Sequence, residues 1–88
     1  MPTLHYNVND PDYAEIAVAG VDAILRTLRL NEKVKGQGHE AEWRQKDAAY
    51  HLLKAEDHLV LAAAEDITEP HIDHAITRLA MVLAKRET

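Results

Sequence analysis

Eighty-eight residues leave room for one domain, and a chain this short buries only about 60% of the surface its unfolded form exposes, so a lone core is marginal. No cysteine is present, which excludes a disulfide or a thiolate metal site as a supplement to that core. The net charge of −5, with histidines neutral, excludes a general nucleic-acid binder, whose basic residues would dominate the total.

Phenylalanine is also absent, and alanine supplies much of the apolar content. Alanine lets helices approach closely but buries little area per residue, so the composition predicts self-association as a further source of stability. No basic-then-apolar leader opens the sequence, and no run of about 18 apolar residues occurs. The expectation is a soluble, cytoplasmic, cysteine-free homo-oligomer with no membrane and no nucleic-acid partner.

In chain order, residues 1–9 read as an extended arm in which Leu4, Tyr6 and Val8 alternate with His5 and Asn7. No second strand offers it a partner, so the arm is expected to lie on the helices or on a neighbouring subunit. Asp10-Pro11-Asp12 is a strong helix start: Asp10 caps, Pro11 suits the first helical position, and Asp12 and Glu15 favour the positive end of the dipole. The first helix is predicted over residues 11–29, its apolar stripe made of Tyr13, Ala17, Gly20/Val21, Ile24 and Leu28. Gly20 inside it predicts the close approach of another helix.

Asn31 to His39 reads as a loop, because Gly36 and Gly38 interrupt the helical pattern. This Gly-x-Gly follows no strand and lacks a Lys-Ser/Thr ending, so it reads as a linker and not as a phosphate loop. A second helix is predicted over 40–64, with Ala49, Leu52/Leu53, Leu59/Val60 and Ala63 as its apolar stripe. Asp66 or Thr68 is expected to cap a third helix over 69–85, with Pro70 in its first turn and Ile72, Ala75/Ile76, Leu79 and Leu83 facing inward. Residues 1–88 are thus read as one all-α domain, a three-helix antiparallel bundle with an extended N-terminal arm.

Histidines fall on helical lines. His51, Ala55, His58 and Ala62 share one line of the second helix, and His71, His74, Arg78, Met81 and Lys85 share one of the third. If the two helices form a hairpin, His58 approaches His71 and His74 at one end of the bundle, joined by Asp57 or Asp66. Three chemistries fit that pattern. The three imidazoles His58, His71 and His74 suit a divalent metal and leave an open position, although no H-E-x-x-H or Glu-x-x-His pattern accompanies them. The free N–H groups opening the third helix, with Arg78, Lys54, Lys46 and Arg44, suit a phosphate or nucleotide. The third option is structural, with imidazoles bridging helix ends and Arg78 paired to Glu56 or Asp57. Trp43 and Tyr50 read as core or interface anchors, with base stacking as the second option.

From Trp43 to Leu79 the chain resembles the phage and prophage dATP/dGTP diphosphohydrolase N-terminal domain family. The matching pieces are Trp43-Arg44, Ala55 through His58-Leu59, Glu65-Asp66, and His71-x-x-His74-Ala75, covering about the second half of the chain. The resemblance implies a phage-type, nucleotide-related protein. In longer relatives hydrolysis is expected of an all-α partner domain that holds Mg²⁺ through Glu-x-x-Glu and Glu-x-x-Asp pairs. Neither pair occurs here, and the closest, Asp66-x-x-Glu69, spans a turn and a cap. The functional expectation is a helical protein that binds a nucleotide or nucleotide-derived anion through His58, His71, His74, Arg78, Trp43, Arg44 and Lys54. Sequestering a nucleotide signal or acting on the dNTP pool would be its purpose. No catalytic residue is assigned, and the one cofactor entertained is a divalent metal on His58, His71 and His74. The alternatives are a metal-dependent nucleotide phosphohydrolase using the histidines with Asp57 or Asp66, and a protein-interaction module with no small ligand.

Overall fold

The computed structural model describes residues 11–35 and 42–87. These form three helices, α1 (Pro11–Lys35), α2 (Ala48–Ala63) and α3 (His71–Glu87), with a 3-10 turn at Glu42–Gln45 before α2. The all-α three-helix bundle is therefore the fold. The predicted arm and the Gly36–Gly38 linker lie outside the described residues.

Helix boundaries follow local chemistry, and several differ from the sequence reading. α3 spans His71–Glu87 where the sequence predicts 69–85, which leaves Pro70 just before the helix and not in its first turn. Pro11 opens α1 as expected, but α1 continues through Leu30, Glu32 and Lys33 to Lys35, good helix formers that carry it past Arg29. The segment predicted to begin the second helix at residue 40 is split. Asp47, in extended conformation, caps α2 by accepting the Tyr50 N–H at 2.9 Å, so the helix proper starts at Ala48. At the other end Glu65 adopts a left-handed φ of 60°. The Asp66 N–H then returns to the Leu61 carbonyl at 3.1 Å and the Glu65 N–H to the Ala62 carbonyl at 3.0 Å, a Schellman closure. Asp66 does not cap α3 directly. It accepts the Thr68 N–H at 3.2 Å and its hydroxyl at 2.9 Å, holding the turn in which Pro70 precedes His71.

α3 is the common partner of the other two helices. Arg78 on α3 meets His51 on α2, while His71 meets His58. Rising numbers on one helix thus meet falling numbers on the other, so α2 and α3 are antiparallel. α1 is clamped to α3 by a two-pronged bridge in which Arg26 Nε and Nη2 donate to the Asp73 carboxylate at 2.7 and 2.9 Å. Two buried threonines, Thr27 and Thr77, satisfy their hydroxyls on carbonyls four residues back, which lets them stand inside the bundle.

The predicted apolar stripes are not the buried ones. On α2 the inward line is His51 and Ala55, continued by half-buried His58 and Ala62, while Leu53 and Val60 are 60% and 68% exposed. On α1 the buried residues are Ala23 and Thr27, with Tyr13, Val21 and Leu28 outside. On α3, Ala75 is buried as expected, together with His71, Thr77 and Val82, whereas Ile72, Leu79 and Leu83 are exposed. Small residues bring the helices together and the large aliphatic residues flank the seams. Gly20 marks no close approach either, because a Cβ built there meets nothing within 4 Å.

Candidate functional site

The site has two adjoining parts, one built around His51 and one around the α2–α3 turn. His51 is fully buried. Its Nδ1 lies 2.9 Å from Arg78 Nη1 and its Nε2 lies 2.8 Å from the Trp43 carbonyl oxygen. A guanidinium only donates, so Nδ1 accepts and the Nε2–H donates to Trp43. This one imidazole links the 3-10 turn, α2 and α3. Lys85 adds a second tie, donating from Nζ to the Arg44 carbonyl at 2.8 Å.

Beside His51 a cavity of about 290 Å³ opens between the helices. Trp43, Lys46, Tyr50, His58, His74 and Arg78 are on its wall, and the α1 residues Thr27 to Glu32 contribute the facing side. Tyr50 is surrounded by cations: Lys46 Nζ lies 5.3 Å, Lys54 Nζ 5.6 Å and Arg78 Cζ 5.6 Å from its ring centre. Glu32 and Glu42 also reach the wall, so the lining carries both signs of charge.

At the turn, His58 from α2 meets His71 and His74 from α3, with ring centres 5.2 and 5.0 Å apart. The His71 Nε2 lies 2.7 Å from Asp66 Oδ2. A carboxylate accepts, so His71 carries its proton on Nε2 and presents the Nδ1 lone pair to His58 Nδ1, 2.9 Å away. Glu69 Oε1 lies 3.1 Å from His74 Nδ1, 3.4 Å from His58 Nδ1 and 3.6 Å from His71 Nδ1. Donor atoms of His58, Glu69 and His74 fall within 4.8 Å of one another, a spacing open to a metal ion.

Burial, and then the neighbouring His74, lowers the His58 pKa from its ordinary value, against the opposing pull of Glu69. The shift favours the neutral ring of His58 and so weakens any charge pairing across its 3.4 Å approach to Glu69. Asp66 is held below the usual carboxylate range by its hydrogen bonds from His71 and Thr68. Asp73 is lowered in the same way by Arg26.

Of the residues singled out from sequence, His58, His71 and His74 come together, and Trp43 and Arg78 share the cavity wall. Arg78 pairs with His51 and not with Glu56 or Asp57. Arg44 and Lys54 do not line the cavity. Arg44 stacks over the Trp43 ring at 4.7 Å, and Lys54 reaches the site only through Tyr50. Asp66 is the aspartate that joins the imidazoles, while Asp57 is exposed. Two contributors were missed. His51 stood on the right helical line but without a recognised partner, and Glu69 was read only as part of a turn. Its position five residues before His74, next to a proline that ends the turn, was the available signal.

No helix among the described residues is long and apolar enough to cross a membrane. No family model matches the chain, and no curated protein or solved structure matches it.

Proposed function

We propose that this chain binds a phosphate-bearing, nucleotide-class small molecule in the cavity beside His51. The observation that carries the reading is the meeting of Trp43 and Tyr50 with Lys46 and Arg78 on one wall. Aromatic faces suit a base, and an arginine with a lysine suits a phosphate. A cavity of about 290 Å³ sits just below the usual ligand-pocket range, which begins at about 300 Å³, so it favours a mononucleotide over a dinucleotide. The resemblance to the phage diphosphohydrolase N-terminal family points to the same ligand class and to a role in handling nucleotides.

Calorimetric titration against a panel of mononucleotides, with cyclic and dinucleotide signals included, tests the reading. At least one mononucleotide is expected to bind. Lys46→Ala, a change at an exposed position, is expected to weaken it by about tenfold, the scale of one charge-assisted contact at 1–2 kcal/mol. No heat with any member counts against the proposal.

Self-association belongs to the same reading. The buried apolar residues are Ala23, Ala55, Ala75 and Val82, while Leu53, Val60, Leu61, Ile72 and Leu83 stay outside. A second copy covering the outer face of α2 would supply the missing burial.

A further inference from the structure

We propose that His58, Glu69 and His74 form a binding site for a divalent transition metal of the zinc class, with His71 positioned as a fourth donor. The inference stands independently of whether a nucleotide enters the neighbouring cavity.

The first support is spacing. Ligands held at about 2.0–2.2 Å from one ion in tetrahedral array lie about 3.3–3.6 Å from each other. Glu69 Oε1 stands 3.1 Å from His74 Nδ1 and 3.4 Å from His58 Nδ1, and the three donors are mutually within 4.8 Å. His71 Nδ1 lies 2.9 Å from His58 Nδ1 and 3.6 Å from Glu69 Oε1, within reach of the same ion after a small ring shift.

The second support is the convergence of the donors on one point. Three Nδ1 atoms converge on one carboxylate oxygen at 3.1–3.6 Å. Without an ion, His74 bonds that oxygen and the Nδ1 atoms of His58 and His71 bond each other, which leaves all four polar atoms gathered in one small space. A cation among them would replace the Nδ1 protons that His58 and His74 use in those bonds and engage the imidazoles and the carboxylate together.

The third support is the scaffold. The donors come from α2, the connecting turn and α3, and the Schellman closure at Glu65–Asp66 fixes how these meet. Asp66 grips the Nε2–H of His71 at 2.7 Å, the carboxylate–histidine relation that orients an imidazole and leaves its other nitrogen free for a metal. Imidazoles with one carboxylate, and no thiolate, match zinc, cobalt, nickel or iron(II) better than a soft cuprous ion or calcium.

The site borders the cavity, since His58 and His74 line both. An ion there would face any phosphate held by Arg78 and Lys46.

The test uses the full chain, untagged and stripped with chelator. Zinc(II) is titrated in competition with a chromophoric chelator, and cobalt(II) is followed by its visible d–d absorption. Binding of one ion per chain with Kd below about 10 µM is expected, as is an intense cobalt band of a four- or five-coordinate site. Glu69→Gln, at a half-exposed position that keeps the side-chain shape, is expected to weaken zinc by at least about tenfold, and His58→Ala with His74→Ala to abolish it. Asp66→Asn is expected to weaken it about 10–100-fold through loss of the hold on His71. Circular dichroism of each variant shows whether the helices persist. No zinc binding in the unsubstituted chain overturns the proposal. So does zinc binding of unchanged affinity in Glu69→Gln and in the folded double histidine variant.

Discussion

The two faces of α2 are a lesson in what the chain places inside. The inner face carries His51, Ala55, His58 and Ala62; the outer face carries Leu53, Leu59, Val60 and Leu61. An ordinary amphipathic helix would turn the second set inward. Here the seam against α3 is made of imidazoles and alanines, so the core is polar, narrow and fully hydrogen-bonded, with no buried side-chain polar atom lacking a partner among the described residues. Stability then rests heavily on full hydrogen-bond satisfaction at His51.

The largest effect is expected at His51. His51→Ala removes a fully buried ring and leaves the Trp43 carbonyl and the Arg78 guanidinium without their partner. Cavity and orphaned groups together are expected to cost about 3–5 kcal/mol, most of the stability of a small domain. Urea titration followed by circular dichroism checks it. A midpoint within error of the unsubstituted chain would mean that the imidazole seam is incidental.

The outer face is tested by charge. Leu53→Lys with Val60→Lys alters nothing buried, so the helices are expected to persist, and the proposed association through this face is expected to be lost. Light scattering behind a sizing column reads this directly. A monomer before substitution would count against the proposed self-association.

How much of this was legible depended on which residue carried the signal. Pro11 announced α1, and the Glu65–Pro70 turn announced the hairpin, because proline, acidic caps and breaks in periodicity act locally. The convergence of His58, His71 and His74 followed from helix spacing once the hairpin was assumed. The inner face of α2 was not legible, because a hydrophobic pattern ranks Leu53 and Val60 above His51 and Ala55. What decided the register was a tertiary fact, the two hydrogen bonds of His51 with Arg78 and Trp43, which span 27 residues in one direction and eight in the other. Asp47 was similarly hidden, since nothing in the run from Glu42 to Lys46 disfavours a helix that starts earlier. Glu69 was missed because its role comes from three imidazoles that reach it from two helices.

Two backbone changes sharpen the comparison from the stabilising side. Glu65 holds a left-handed φ of 60° that glycine adopts freely. Glu65→Gly is expected to raise stability by up to about 1 kcal/mol without disturbing the imidazoles. Gly20→Ala on α1 is also expected to stabilise, by up to about 1 kcal/mol, because the added methyl meets open space and helix propensity improves. Thermal unfolding monitored at 222 nm reads both. Should Gly20→Ala weaken self-association instead, α1 belongs to the interface between copies along with the outer face of α2.

The smallest effect is expected where α1 meets α3, because Arg26 is 59% exposed at its side chain while Asp73 is 17% exposed. Asp73 has its pKa lowered in the folded chain by the hydrogen bond from Arg26. The bridge therefore adds stability at every pH above the unfolded carboxylate value of about 3.9 and loses it as pH falls through the lower, folded value. Arg26→Gln is expected to lower the unfolding midpoint slightly at pH 7, more at low salt than at high salt. The gap between variant and unsubstituted chain is expected to close only below the ordinary aspartate range. A gap that persists after Asp73 is protonated would assign the contribution of Arg26 to the packing of its aliphatic stem on α3 and not to its charge.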